Sequence, residues 1–136
     1  MKVSNSMARV DNETLIKLLV IDDDHILTGM IKAAYPAEGF DVVVIDSGPA
    51  GIKAASEVEP DVILLDLMMP GMDGWQICRK IREFSNVPIL IMSAVIDSNS
   101  VMQALDIGAD DYLVKPTPQG VLVSRLKRLV RQSRSG

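Results

Sequence analysis

Residues 62–74 read VILLDLMMPGMDG. Four consecutive aliphatic residues run into a single carboxylate, Asp66, and three methionines, a proline and two glycines follow within eight positions. An apolar run this short, without polar alternation, is the pattern of a strand covered on both faces, as in a parallel sheet. The Pro70-Gly71 pair then signals a turn rather than a helix start. An acid where a buried strand ends is costly unless a partner or ligand meets its charge. Asp66 is therefore the first candidate functional residue.

Similar runs recur at 18–21 (LLVI), 42–45 (VVVI), 89–92 (ILIM) and 112–114 (YLV). Between them lie candidate helices at about 25–35, 49–57, 74–84, 98–107 and 119–132. Gly39, Pro60-Asp61 and Val87-Pro88 punctuate the strand starts, and Gly108 is placed to cap the fourth helix. The last helix carries an apolar stripe of Val121, Leu122, Leu126, Leu129 and Val130. Five strand–helix repeats joined by right-handed crossovers predict an α/β fold, a (βα)5 doubly wound, five-stranded parallel sheet with helices on both faces. The strand order expected for it is the flavodoxin-like 2-1-3-4-5. Residues 1–16 read as a polar tail, 17–132 as the domain, and 133–136 as a C-terminal tail or the start of a linker.

The 136 residues are the length of one domain, and 48% are hydrophobic, enough for a full core. No apolar stretch approaches the roughly 20 residues of a membrane span, and the start, MKVSNSMARVDNETLIK, has no apolar signal region. A single cysteine, Cys78, excludes an internal disulfide and fits a reducing compartment, and it reads as a half-buried helix residue. A cytoplasmic protein without a membrane partner is expected. The net charge of −4 is unevenly placed, since Tyr112 to Gly136 contains basic residues and no acid. That segment reads as the solvated face of the last helix; direct nucleic-acid binding would need a groove-reading motif or interleaved aromatics, and neither is present.

The polar residues at the strand ends converge. The first run ends in Asp22-Asp23-Asp24, the third in Asp66, the fourth in Ser93 and the fifth in Lys115. In an open parallel sheet, ligands sit outside the carboxyl ends of the strands, where the strand order reverses. The first and third strands are neighbours there, while Asp46, ending the second run, lies farther off. Carboxylates about 4 Å apart repel by about 4 kcal/mol at an effective dielectric near 20. Asp24 is best spent as the N-cap of the first helix. For the rest, the remedies are a proton or a cation, and an all-oxygen donor set favours Mg²⁺. His25, the only histidine, reads as an inert helix residue.

Together the motifs LLVIDDD, VILLDLMMPGMDG, PILIMSA and GADDYLVKP resemble a response regulator receiver domain of the CheY-like family, over roughly residues 16–132. The resemblance implies that Asp66 is the phosphoacceptor, phosphorylated by a sensor histidine kinase or phosphotransfer protein. It implies that Asp23 and Asp66 bind Mg²⁺ directly, with Asp22 acting largely through water and the backbone carbonyl of Met68 as a further ligand. Lys115 would pair with the phosphoryl oxygens, Ser93 would hydrogen-bond to them, and Tyr112 would turn inward as Ser93 moves. A cis Lys115–Pro116 peptide is also implied. The residues two beyond Asp66 and Ser93, Met68 and Val95, would flank the water that hydrolyses the phosphoryl group. Neither can hold a water, so slow self-dephosphorylation is expected.

The segment 108–134 is most similar to receivers of the OmpR/PhoB-like winged-helix subfamily, which implies a transcriptional effector and DNA contact only through an output domain lying outside this sequence. Dimerisation through the fourth helix, fifth strand and fifth helix would pair Asp111 with Arg125 and Asp110 with Lys127. A third ion pair of that subfamily falls on Val101 and Val121, and its usual phenylalanine after Lys-Pro is Thr117. A free-standing receiver acting by protein–protein interaction is the alternative. A Mg²⁺-dependent aspartyl phosphatase is less supported, because Met68 stands where that class needs a second acid. The expectation is a switch, not a conventional enzyme.

Overall fold

Successive side chains of a strand point to opposite faces of its sheet, and this alternation decides which helices pack where. The computed structural model describes residues 15–94 and 97–135. Its elements are β1 (Ile16–Ile21), α1 (His25–Ala34), a 3-10 turn (Tyr35–Glu38), β2 (Phe40–Ile45), α2 (Gly48–Val58), β3 (Val62–Asp66), α3 (Gly74–Arg82), β4 (Ile89–Ser93), α4 (Ser98–Ile107), β5 (Asp111–Val114) and α5 (Gln119–Ser135). The five strands form one sheet of order β2-β1-β3-β4-β5, and every pair is parallel.

Leu19, Ile21, Ile63, Leu65, Ile89 and Ile91 face one core, with Ala54 and Ala55 of α2, Ile77 and Ile81 of α3 and Ala104 of α4. Their neighbours Leu18, Val20, Val62, Leu64, Leu90 and Met92 face the other, with Ile31 of α1 and Leu122, Leu126, Leu129 and Val130 of α5. All these strand residues are buried, so both faces are covered, as the unbroken apolar runs predict. The close seating of α2 on β1 needs Gly51: a Cβ there would lie 2.7 Å from the Ile21 side chain.

Several boundaries differ from expectation. β1 begins at Ile16, inside the predicted tail, and α5 continues through 133–135 because no proline or glycine interrupts it after Gly120. Arg134 in its last turn reaches Asp61 at 3.6 Å. The first helix tightens into the 3-10 turn at Tyr35, where Pro36 follows, and stops at Gly39 with φ 94°. Cys78 is fully buried, not half-buried, because α3 turns Ile77, Cys78 and Ile81 together into the core. Gly108 does close α4, with φ 124°. No helix among the described residues is long and apolar enough to cross a membrane.

Candidate functional site

The carboxyl ends of β1, β3, β4 and β5 deliver the predicted cluster. Asp22 directly follows β1 and is 1% exposed; its N–H donates to the Ile45 carbonyl, which fixes the backbone. One carboxylate oxygen of Asp22 accepts from the Asp24 N–H, at 2.9 Å. Asp24 in turn caps α1, accepting from the N–H groups of Ile26 and Leu27. Asp23, between them, is exposed. Asp66 ends β3 and is 5% exposed. A carboxylate oxygen from each of Asp22, Asp23 and Asp66 lies within 4.8 Å of the other two.

The turn after Asp66 holds it there. Leu67 is buried, its carbonyl accepts from the Gly74 N–H at 2.7 Å, and Gly71 has φ 87°. Gly74 has no substitute, because a Cβ would sit 2.6 Å from the Leu67 Cα. Asp73 caps α3 by accepting from the Gln76 N–H. Met68 donates its N–H to Asp66 Oδ1 at 3.2 Å, and its side chain is exposed.

Lys115 enters from the end of β5 across a cis Lys115–Pro116 peptide, as the resemblance implied. Its Nζ lies 2.9 Å from Asp22 Oδ2 and 3.6 Å from Asp66 Oδ2. Burial pushes the Asp66 carboxyl up to about 6, with the Asp22 charge adding to the rise; the Met68 N–H and the Lys115 ammonium oppose it. Burial pulls the Lys115 ammonium down, but Asp22, Asp66 and Asp24 outweigh it, and the net shift is upward. Lys115 is therefore a fixed cation at neutral pH. Ser93 ends β4 fully buried, and its carbonyl accepts from the Lys115 N–H. Tyr112 packs against the core formed with α2–α4. Burial raises its phenol, while a hydrogen bond with the Ser93 side chain acts the other way.

A model of the response regulator receiver domain matches residues 18–127. The chain belongs to this family. Among its relatives, the DNA-binding response regulator MtrA of Mycobacterium tuberculosis H37Rv is 42% identical over 117 residues, covering 86% of this chain and 51% of MtrA. The transcriptional regulatory protein CseB of Streptomyces coelicolor is 38% identical over 115 residues, covering 85% of this chain and 49% of CseB. The chain thus spans about half the length of these curated relatives. Among solved structures, the BeF3-activated N-terminal receiver domain of Klebsiella pneumoniae RstA superposes with a TM-score of 0.80 at 33% identity, covering 85% of this chain and 98% of that one. The receiver domain of the Francisella response regulator 1452 gives 0.82 at 32%, covering 87% and 98%.

On the α4–β5–α5 face, the residues expected to pair across a dimer have partners within the chain. Asp111 does meet Arg125, but within one chain, at 2.8 Å, with Arg128 at 3.7 Å. Asp110 and Lys127 take different partners within the chain. Asp110 accepts from Arg82 at 3.0 Å and from the Ile89 N–H, whereas Lys127 lies 3.9 Å from Glu38 and over the Phe40 ring. Side-chain length explains this, because Arg82 at the end of α3 spans Gly108, Ser85 and Asp110 together. Arg82 was missed from the sequence; only its place at a helix end before the β4 loop could have hinted at it. Met102, Leu105, Val114 and Val121 leave exposed apolar surface on this face. Thr117 turns its hydroxyl to the Val114 carbonyl. His25 faces Asp46 at 3.6 Å in solvent, apart from the cluster. Val95, one of the two residues expected to flank the hydrolytic water, lies outside the described residues.

Proposed function

We propose that this receiver is the phosphorylation-controlled switch of a cytoplasmic two-component system. Asp66 accepts a phosphoryl group from the phosphohistidine of a sensor kinase or phosphotransfer protein. The observation that carries this reading is the meeting of three carboxylates with one ammonium at the strand ends. A transcriptional effector is part of the proposal, by analogy with the DNA-binding relatives.

The acidic cluster supplies only hard oxygen donors, which suits Mg²⁺. Asp22, Asp23, Asp66 and the Met68 backbone carbonyl would hold the ion, which when bound would neutralise charge on the phosphoryl oxygens. Asp66 Oδ attacks phosphorus as the bond to the donor breaks, and the electron pair leaves with the donor. Lys115 then follows the new charge, exchanging part of its contact with Asp66 for a phosphoryl oxygen. The work is positioning and electrostatic stabilisation by groups fixed beforehand. Ser93 donates to another phosphoryl oxygen, and its hydrogen bond to Tyr112 carries the shift to β5. The chain completes no separate catalytic cycle; it loads and slowly loses its own phosphoryl group.

Incubation with acetyl phosphate and Mg²⁺ is expected to add the mass of one phosphoryl group. Chelator is expected to prevent the addition, and so is Asp66→Asn. Uptake by the Asp66→Asn chain would reject the assignment.

In the proposed active dimer the α4–β5–α5 faces meet, and Asp111 and Arg125 trade their contact within the chain for one across it. Val101 and Val121 replace an ion pair worth at most about 1 kcal/mol, so association survives the change. Light scattering is expected to show a larger species with beryllofluoride and Mg²⁺ than without them. A monomer in both states would remove the dimer from the proposal.

A further inference from the structure

Met68 brings a chemistry of its own to the edge of the acidic cluster. Its side chain is 55% exposed, whereas adjacent Met69 is 8% and Met92 on β4 is 2% exposed. Its N–H bond to Asp66 Oδ1 fixes it beside the carboxylate. A thioether sulfur is a weak acceptor and orients water poorly. Its sulfoxide is polar, and the change is reversed by methionine sulfoxide reductases.

We propose that Met68 is an oxidation site through which a peroxide shortens the life of the phosphoryl group on Asp66; this rests on Asp66 being the phosphoacceptor. Hydrogen peroxide transfers one oxygen to the sulfur and leaves as water: the O–O bond breaks, an S–O bond forms, and the sulfur gives up two electrons. The sulfoxide oxygen accepts a hydrogen bond from a water at the mouth of the site. That water's oxygen bonds phosphorus as the phosphorus–Asp66 bond breaks. The electron pair stays on the carboxylate, and the water's protons go to inorganic phosphate and solvent. Oxidation thereby resets the switch, and reduction of the sulfoxide restores the longer-lived state.

Met30 and Met102 are also exposed, at 45% and 60%, but they lie on α1 and α4, so the test must separate them from Met68. The full chain is treated with dilute hydrogen peroxide, quenched, and mapped by peptide mass. It is then loaded with acetyl phosphate and Mg²⁺, and phosphoryl loss is followed after the donor is removed. Loss is expected to be about fivefold faster when Met68 is oxidised, the worth of one hydrogen bond to the attacking water. Met68→Leu is expected to show no peroxide response, and Met68→Gln to decay fast without peroxide. Equal decay with Met68 mapped as oxidised, equal acceleration in Met68→Leu, or oxidation of Met30 and Met102 that spares Met68 would each overturn the proposal. Phosphoryl uptake with unchanged decay overturns it alone; no uptake by either form removes the Asp66 reading as well.

Discussion

Replacing Lys115 by methionine is expected to destabilise the receiver by about 3 kcal/mol at neutral pH in chelator, and to slow phosphorylation by acetyl phosphate about a hundredfold. The ammonium lies within 4 Å of two buried carboxylates, and its own side chain is only 19% exposed. Methionine keeps the length but leaves Asp22 and Asp66 without their cation. Removing one partner of a buried ion pair costs more than the pair contributes, because the remaining charge stays desolvated. Two features separate this from lost packing. The deficit should shrink toward pH 5, as Asp66 takes up a proton, and it should shrink when Mg²⁺ is added. Chemical unfolding across that pH range checks both. A Lys115→Met chain as stable as the parent in chelator would mean that the ammonium is not what holds the carboxylates together.

Asp66→Asn should do the opposite and raise stability at pH 7.5 in chelator by about 2 kcal/mol. The folded Asp66 carboxyl titrates near 6, above its ordinary 3.8. A raised carboxyl favours the protonated form in the folded state. Its contribution is fully present below about pH 3.8 and is lost as pH rises through about 6, so the ionised group opposes folding above that. Asparagine is neutral throughout and can still accept the Met68 N–H. The parent's stability should therefore fall between about pH 4 and 6 relative to the variant, and a thermal melt should register about 3–4 °C per kcal/mol. Saturating Mg²⁺ should narrow the gap. A cation bound only by the folded state adds about 2.7 kcal/mol at a hundred times its Kd, and the parent offers it one more carboxylate. If Asp66→Asn melts below the parent in chelator at pH 7.5, the cost of burying the ionised Asp66 beside Asp22 has been overstated. The two substitutions share partners, so the double variant should lose less than Lys115→Met alone.

The central strands were legible because β1, β3 and β4 are buried on both faces, and burial leaves an unbroken apolar run in the sequence. The strand starts were less legible. Lys17 lies within β1 where its N–H bonds the Asp61 carboxylate and its Nζ reaches the Val58 carbonyl, so a polar letter masked a strand residue. The cluster of Asp22, Asp23, Asp66 and Lys115 could be read because each residue sits at a fixed offset from a strand end, and the topology does the rest. The pairing of Asp110 could not. Two adjacent acids and five basic residues on α5 admit many partners, and Arg82 comes from a helix that sequence spacing does not tie to this face. Trp75 illustrates the same limit: its indole nitrogen is buried without a hydrogen-bond partner, which no local pattern announces.

An acyl phosphate can be cleaved by borohydride, leaving a reduced side chain that tandem mass spectrometry locates. In the chain loaded with acetyl phosphate and Mg²⁺, reduction is expected at Asp66 and at no other acid. A reduced residue at Asp22, Asp23 or elsewhere, or none after loading, would mean that Asp66 is not the phosphoacceptor.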